Sequence, residues 1–415
     1  MRVIGPEKLE SILGRLGHNP RVVASGNFAT PHFLLHEVDK HLPAYRLHML
    51  NAQAGIPNRP GVTYETAFVG PGMRNHDQLE YIPARLSLVP ELLRDHYQPD
   101  VVLLNTSPIR HDTVSLGIEV NIMPAAIESA RERGGIVIAQ ANKYMPYTYG
   151  DAQIYEDEID YLIEVDEPLS EHNPRAIDEC SRSIGERIAA RVLDNSTLQS
   201  GIGGVPDAVL SSLAKSKGLR IWTEMFSDGV LKLHQLGALD PDRALTASFL
   251  FGSRELYDWA NLNTKIHMMR TEHTNNPGKI EKQAQMVSVN GALQVDLLDQ
   301  ANASRVNGRI YSGFGGQTDF IVGSLHSRGG QSFIALPSWH KKTDTSTIIP
   351  LLSNPVTSFQ HSAVATENGI ADAFGRSQSQ QARNIIRFAA HPSVRDELTK
   401  AAIDLGLMSA RPEKH

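Results

Sequence analysis

The sequence has a single cysteine, Cys180, among its 415 residues. One cysteine cannot form an intramolecular disulfide, which fits a reducing compartment. Its charged neighbours in a predicted helix are a poor setting for a reactive thiol, because thiolates need electropositive surroundings. Apolar runs never approach the roughly 18 residues of a membrane span, and the N-terminus has no apolar segment of signal-peptide length. We therefore expect a cytoplasmic protein with no membrane partner.

The motifs of several enzyme classes are also missing. The 17 histidines are scattered. His32 and His36 stand four residues apart, as do Glu37 and His41, but no third ligand or HExxH motif accompanies them, so we expect no metal site. Without a GxSxG elbow, a hydrolase triad is not supported. The glycine turn before Pro206 lacks the full GxGxxG spacing, which argues against a nicotinamide enzyme.

The composition describes an ordinary folded chain. Hydrophobic residues make up 41% and charged residues 21%, enough to bury a core. The net charge is −6 and the pI is about 6.3, so we expect no nucleic-acid partner. A small anionic ligand would need a local basic site.

Short apolar strands alternate with amphipathic helices, which predicts an α/β fold with parallel sheets. The strands predicted in the first half are Val22–Gly26, Leu47–Leu50, Asp100–Leu104, Ile136–Ala139 and Asp160–Val165. The helices predicted there are residues 7–16, Pro31–Lys40, Glu91–Leu93 and Pro124–Arg133. The strands predicted in the second half are Leu219–Trp222, Arg309–Ser312 and Ser332–Leu336.

A polar segment with two prolines, Asp166–Pro174, interrupts this pattern and reads as a linker. A helix of roughly Pro174 to Leu193 is predicted after it, because apolar residues recur there at helical spacing. We therefore expect two related α/β domains, residues 1–172 and residues 173–415.

The stretch from Ser200 to Asp228 is the strongest candidate for a functional site. A glycine turn, Gly201–Val205, precedes a helical pattern, and the apolar run that follows delivers one acid, Glu224. Glycines allow close backbone approach and offer N–H groups to an anion. A carboxylate opposite such donors is a candidate nucleophile, although an ordinary strand–turn–helix unit with an exposed glutamate gives the same pattern.

Two further features lie downstream. A second glycine turn, Gly313–Gly316, follows the predicted strand Arg309–Ser312. Two such turns together with an acid at a strand end favour an active site, whereas each turn alone also fits a tight bend. Lys341 and Lys342 follow the strand Ser332–Leu336, where a lysine could pair with a phosphate or form part of a solvated surface.

These blocks together resemble the acetyl-CoA hydrolase/transferase family, whose members include butyrate, 4-hydroxybutyrate and succinate CoA-transferases. The resemblance covers nearly the whole chain, because blocks in both halves follow the family order. The blocks that carry it are Asp77–Pro90, Ser115–Gly117, Asn142–Pro146, Gly201–Val209, Thr223–Gly229, Thr274–Pro277, Val287–Ala292, Gly313–Phe320 and Thr366–Asp372.

The resemblance implies two tandem CoA-transferase-type open α/β domains with the active site at their interface. It implies that Glu224 is the nucleophile, with Asn275 and Glu367 as supporting groups near the acyl site. It places the CoA contacts at Gly201, Ile202, Gly203, Gly204, Val205, Ser312, Gly316 and Lys341. It also suggests a homodimer or larger homo-oligomer, with acyl-CoA and a small carboxylate as substrates and no permanently bound cofactor.

The implied reaction is the transfer of CoA between an acyl-CoA and a small carboxylate such as acetate. A glutamate would form first an acyl-glutamyl anhydride and then a glutamyl-CoA thioester. Two alternatives stay open on the sequence: an acyl-CoA hydrolase that uses the same glutamate, and a CoA-binding protein without activity. Trp339, His340 and Asn368 depart from the family pattern and leave the identity of the acyl group undetermined.

Overall fold

The computed structural model describes residues 1–173, 176–354, 356 and 360–409. The strands of the first half are β1 Arg2–Val3, β2 Arg21–Ala24, β3 Tyr45–His48, β4 Val62–Thr66, β5 Leu79–Tyr81, β6 Val101–Thr106, β7 Thr113–Ser115, β8 Ile136–Asn142, β9 Tyr149–Gly150, β10 Gln153–Tyr155 and β11 Tyr161–Val165. The α-helices of this half are α1 Leu9–Leu13, α2 His32–His41, α3 Val89–Asp95 and α4 Met123–Arg133.

The second half contains the remaining elements. Its strands are β12 Thr197–Ser200, β13 Arg220–Ile221, β14 Met225–Phe226, β15 Leu245–Ala247, β16 Phe249–Leu250, β17 Ile266–Met268, β18 Met286–Gly291, β19 Gln294–Asp296, β20 Ala301–Asn302, β21 Arg305–Val306, β22 Arg309–Ile310, β23 Gln331–Ala335, β24 Trp339–His340, β25 Thr345–Ser346, β26 Ile348–Ile349, β27 Ala363–Thr366 and β28 Gly369–Asp372. Its α-helices are α5 Glu179–Ala189, α6 Gly204–Ser212, α7 Asp228–Gln235, α8 Arg254–Ala260, α9 Thr271–Thr274, α10 Pro277–Ile280, α11 Gln317–His326, α12 Gln378–Asn384 and α13 Arg395–Asp404. Five 3₁₀ turns, at Pro6–Lys8, Asn27–Ala29, Leu86–Leu88, Glu156–Glu158 and Pro392–Val394, and one π-helical turn, at Ile385–Ala389, complete the described elements.

Two open sheets organise the chain. The first has eight strands in the order β1-β11-β8-β6-β2-β3-β4-β5, and all of its pairings are parallel. The second has the order β13-β12-β18-β23-β27-β28 and is parallel except for its last pair, β27 and β28. This architecture confirms the predicted α/β class.

Each sheet has one point where its connections change direction. In the first sheet the chain leaves β2 toward β3 and leaves β6 toward β8, on the opposite side. In the second it leaves β12 toward β13 and β18 toward β23. Ligands bind in the crevice beyond the carboxyl ends of strands at such switch points. The topology therefore marks Gly26 and Asn27 in one sheet, and Gly201 and Gly291 in the other.

The two halves are joined by pairing and packing. Strand β9 of the first half pairs with β17 of the second, and one continuous cluster of buried apolar side chains includes Val23 and Leu104 together with Leu210 and Val289. Each of the two large sheets lies wholly on one side of the predicted boundary near residue 172. The boundary itself stays a prediction.

Two predicted elements need correction. The helix predicted at Pro174–Leu193 begins instead at Glu179, because the Asp178 carboxylate caps it by accepting the Ser181 N–H at 3.0 Å; position 174 lies outside the described residues. The strand predicted at Arg309–Ser312 is only the short β22. It forms a hairpin with β21 around Asn307 and Gly308, which both have positive φ, and it joins neither main sheet.

Candidate functional site

A cleft with an empty volume of about 1000 Å³, counting its open mouth, lies between the two halves. The first half contributes Asn27, Leu50, Asn51, Phe68, Leu86 and Asn121. The second half contributes Gln199–Ile202, Glu224, Met225, Phe249, Asn290, Gly291, Ala303 and Ser312–Gln317. Asn27 after β2, Gly201 after β12 and Gly291 at the end of β18 all belong to this lining, so the switch points of both sheets open onto one cleft.

Glu224 is the acidic residue that lines the cleft, and hydrogen bonds fix the backbone around it. It lies in the break between β13 and β14, and its carbonyl oxygen accepts the N–H groups of Ser248 at 2.7 Å and Phe249 at 3.0 Å. The hydroxyl of Thr223 donates to the carbonyl of Met225 at 2.8 Å. These bonds hold the bend that turns the glutamate side chain toward the cleft.

The Glu224 carboxyl lies close to two N–H donors. The Asn275 Nδ2 donates to its Oε2 at 2.8 Å, and the backbone N–H of Gly316 is near enough to favour the ionised form of the carboxyl. A Cβ at Gly316 would lie 1.9 Å from the same oxygen, so only glycine allows this approach. The Glu224 carboxyl thus packs closely against the second glycine turn, Gly313–Gly316.

Asn275 is itself oriented by its neighbours. The Thr274 hydroxyl donates to its Oδ1 at 2.7 Å, which leaves the NH₂ group facing Glu224. Helix α9, which precedes it, is tied to the first half because the Thr271 hydroxyl donates to the carbonyl of Asn121 at 2.9 Å. The position of Glu224 therefore depends on contacts across both halves.

Burial raises the pKa of Glu224 to about 7, the hydrogen bond from Asn275 opposes the rise, and the nearby charges of Asp319 and Glu119 add to it. Burial likewise raises the pKa of Glu119 to about 7 and that of Asp319 to about 6. Three carboxyls with raised pKa values around one cleft are typical of a functional site.

The predicted ligand-binding residues divide into two groups. Gly201, Ile202, Ser312 and Gly316 line the cleft beside Glu224. Gly203 has a φ of 114° and lines a neighbouring pocket that shares Ile202 with the cleft. The predicted glycine loop thus forms the wall between the two openings.

The loop continues into α6. Gly204 and Val205 form its first turn, and a Cβ at Gly204 would lie 2.8 Å from the Ser181 hydroxyl and 3.8 Å from the Asp178 carboxylate. Exposed Lys341 also lies near Asp178. The hydrogen bond from the Ser181 N–H is the largest cause of the lowered pKa of Asp178, and the charge of Lys341 also lowers it. Lys341 therefore lies near the predicted loop, although it does not line the cleft.

Glu367 is not among the residues that line the cleft. Its carboxylate accepts the backbone N–H of Ser338 at 2.8 Å and also bonds to the Ser338 hydroxyl. It faces Cys180, whose thiol pKa is raised to about 12 by burial and by the charge of Glu367. Of the two supporting residues predicted, Asn275 contacts Glu224, whereas the role of Glu367 stays a prediction.

Sequence reasoning missed the first-half wall of the cleft. Asn27 directly follows the predicted strand Val22–Gly26, which overlaps β2, so a polar residue after a strand was an available signal. On the second-half side, Asn290 lies near the end of β18, a strand that the sequence analysis does not predict. Glu119, in contrast, has no motif around it, and only the fold brings it near Glu224.

Two absences complete the description. Within the described ranges, no group of three or more His, Cys, Asp and Glu side chains is placed to hold a metal ion. None of the helices in the described part of the chain combines the length and apolar character needed to cross a lipid bilayer.

Comparison with known proteins identifies the family. Residues 58–170 match the acetyl-CoA hydrolase/transferase N-terminal domain, and residues 252–402 match the C-terminal domain. The chain is 34% identical to the 4-hydroxybutyrate coenzyme A transferase of Clostridium kluyveri, over 94% of this chain and 95% of that protein. It is 36% identical to the succinyl-CoA:acetate/propanoyl-CoA:succinate CoA transferase of Fasciola hepatica, over 95% and 87%.

A solved structure shows the same fold. The crystal structure of RipA from Yersinia pestis superposes with a TM-score of 0.91 at 28% identity and covers 98% of both chains. The crystal structure of a 4-hydroxybutyrate CoA-transferase from Porphyromonas gingivalis superposes with a TM-score of 0.81 at 31% identity and covers 97% of this chain and 98% of that chain, so the predicted CoA-transferase-type α/β fold is confirmed. With both family models matched and relatives similar over nearly its whole length, the chain belongs to the acetyl-CoA hydrolase/transferase family.

Proposed function

We propose that the chain moves CoA between an acyl-CoA and a small carboxylate such as acetate, with Glu224 as the nucleophile. The observation that carries the proposal is the Glu224 carboxyl at the cleft, bonded to Asn275 Nδ2 at 2.8 Å and seated against Gly316. Relatives that are similar over nearly the whole chain carry names that describe CoA transfer.

The reaction proceeds in two covalent steps and their reversal. The Glu224 carboxylate attacks the thioester carbonyl; the C–S bond breaks, CoA thiolate leaves, and an acyl-glutamyl anhydride remains. The thiolate then attacks the glutamyl carbonyl, which forms a glutamyl-CoA thioester and releases the first carboxylate. A second carboxylate reverses both steps, so no water or proton is consumed overall.

The surroundings of Glu224 suit these steps. Each attack develops negative charge on a carbonyl oxygen, and oriented N–H donors stabilise such an oxyanion by about 3 kcal/mol each. The N–H of Gly316 and the NH₂ of Asn275 are donors beside the Glu224 carboxyl. A pKa near 7 also makes the carboxylate more basic than an ordinary glutamate, and hence a stronger nucleophile.

CoA would extend from Glu224 along the second-half side of the cleft. Gly201, Ile202, Ser312 and Gly316 line that side. The start of α6 offers free N–H groups to a phosphate, and Lys341 lies near it as a cation at the rim. The loop Gly201–Val205 and Lys341 are therefore proposed to hold the phosphate-bearing part of CoA.

Exchange of labelled acetate into acetyl-CoA tests the proposal. The wild-type enzyme should catalyse the exchange with ping-pong kinetics, and Glu224→Gln should lose it. Near-normal exchange by Glu224→Gln would overturn the assignment. The surface substitution Glu91→Gln, on the exposed side of α3, is the matched control and should leave the exchange unchanged.

Free-thiol release separates transfer from hydrolysis. A transferase releases little CoA thiol from acetyl-CoA alone, because the free thiolate recaptures the glutamyl carbonyl. Thiol release at full rate without any added carboxylate would instead assign the chain as an acyl-CoA hydrolase. Tight CoA binding without exchange or thiol release would indicate a binding protein.

A further inference from the structure

The first-half wall of the cleft carries a chain of amide side chains. Asn51 Nδ2 donates to Asn27 Oδ1 at 2.7 Å, and Asn27 Nδ2 donates to Glu119 Oε2 at 2.5 Å. The other oxygen of Glu119 accepts the Gly26 N–H at 3.2 Å. Asn27 and Asn51 both line the cleft, and both have positive φ. Their amides are thus fixed in direction by a buried acid.

A third amide on this wall has an unused acceptor. Asn121 lines the cleft and is 1% exposed. Its Oδ1 has no hydrogen-bond partner among the described residues. A buried acceptor without a partner costs about 1–3 kcal/mol, so a ligand donor that reaches this oxygen would be stabilised.

The rest of the wall is apolar. Leu50, Phe68 and Leu86 of the first half face the same space as Met225 and Phe249 of the second. Met225 follows Glu224 directly, and the Phe249 N–H binds the Glu224 carbonyl oxygen. A short hydrocarbon chain attached at Glu224 therefore has apolar neighbours along its length.

The charged side chains at the cleft are acidic. Among the described residues that line it there is no lysine, arginine or histidine. Glu224 lies at the cleft, and Glu119 lies directly behind Asn27. A ligand that carried a carboxylate to this wall would meet buried negative charge with no cation to balance it.

The geometry points to an acyl pocket that takes a chain with an uncharged hydrogen-bonding group, such as a hydroxyl, at its far end and rejects a second carboxylate. The inference rests on the proposed function, in which Glu224 attacks the thioester at the near end of the chain. A hydroxyl can donate to Asn121 Oδ1 and accept an amide hydrogen that Asn27 or Asn51 leaves unused. Glu119 acts as the residue that orients these amides and excludes anions.

A competition between three four-carbon acids tests this pocket. Butyrate, 4-hydroxybutyrate and succinate differ only in the far group: a methyl, a hydroxymethyl or a carboxylate. Offered together at equal concentration with acetyl-CoA as donor, they should yield acyl-CoA products in proportion to their kcat/KM values. We expect hydroxybutyryl-CoA to exceed butyryl-CoA at least roughly tenfold, and succinyl-CoA to be at least roughly 100-fold below hydroxybutyryl-CoA.

The variant Glu119→Gln tests the role of the buried acid. Glutamine keeps the shape, and the amide chain can reverse its direction, because each asparagine can flip. The charge is lost, so the ratio of succinyl-CoA to butyryl-CoA should rise at least roughly tenfold, while hydroxybutyryl-CoA stays ahead of butyryl-CoA. The assay is run near pH 8, where an acid with a pKa of about 7 is mostly ionised. Glu91→Gln on α3 is the control and should leave all ratios as in the wild type.

Two results would overturn the inference. One is succinate used by the wild type as readily as 4-hydroxybutyrate. The other is a Glu119→Gln enzyme that is folded by its thermal melting curve and active in acetate exchange, yet keeps the wild-type product ratios. Acetate exchange without the expected ratios would refute this inference alone, whereas no exchange at all would refute the proposed function with it.

Discussion

Replacing the ionisable group of Glu224 should stabilise the protein while it removes activity. Burial is the largest cause of the rise in the pKa of this carboxyl from its usual 4.5 to about 7. That difference corresponds to about 3 kcal/mol by which ionisation is less favourable in the folded than in the unfolded chain. Because the side chain is not fully buried, water in the cleft reduces this, and we expect about 1–2 kcal/mol for Glu224→Gln.

The effect has a defined dependence on pH. Between the unfolded pKa near 4.5 and the folded pKa near 7, the folded protein holds more protons than the unfolded chain. Stability contributed by this group therefore falls as the pH rises through that window. The glutamine variant lacks the group, so its advantage should be present near pH 8 and nearly absent near pH 4.5.

Thermal unfolding of the wild type and Glu224→Gln at both pH values measures this. The variant should melt roughly 2 °C higher near pH 8, with its carboxamide oxygen still accepting from Asn275 Nδ2. Glu91→Gln, at an exposed position, should shift the midpoint at neither pH. An equal shift of Glu224→Gln at both pH values, or a lower midpoint near pH 8, would refute the reasoning.

Three further predictions concern catalysis. The kcat/KM for acetyl-CoA should rise with pH to a plateau above about 7, because Glu224 must be ionised to attack; a profile flat from pH 5 to 8 would contradict this. Gly316→Ala should lower kcat/KM at least roughly 100-fold, since its Cβ would lie 1.9 Å from the Glu224 Oε2, whereas Gly291→Ala in the same cleft, with open space around its Cβ position, should be near normal. Asn275→Ala should lower kcat roughly 100-fold through loss of one donor, and unchanged single-turnover rates would count against its role.

The sequence predicts the structure well where a run of residues fits only one type of element. Apolar runs identified most strands of the first sheet, because a parallel sheet buried on both faces needs continuous apolar strands. Where the local signal was weaker, prediction failed. The apolar pattern places the helix start several residues too early because it does not show the cap at Asp178. It also predicts a sheet strand at β22, where Asn307 and Gly308 form a hairpin turn.

The site shows the same division. The stretch around Glu224 and the glycine turn at Gly316 carry local signals, and the fold brings them into contact. The first-half wall carries no local sequence signal, because Glu119 and Asn51 stand far apart in the sequence. Both hydrogen-bond to Asn27 only when the sheet forms. Contacts between distant segments are set by topology, which single-residue patterns do not encode.

Mass spectrometry of the enzyme after incubation with acetyl-CoA is the most direct measurement of the central claim. The intact protein should gain the mass of CoA less one water, and peptide mapping should locate the adduct on the peptide that contains Glu224. Glu224→Gln should show no adduct under the same conditions. A CoA adduct on any other residue, or turnover by a wild-type enzyme that never carries CoA covalently, would contradict the account.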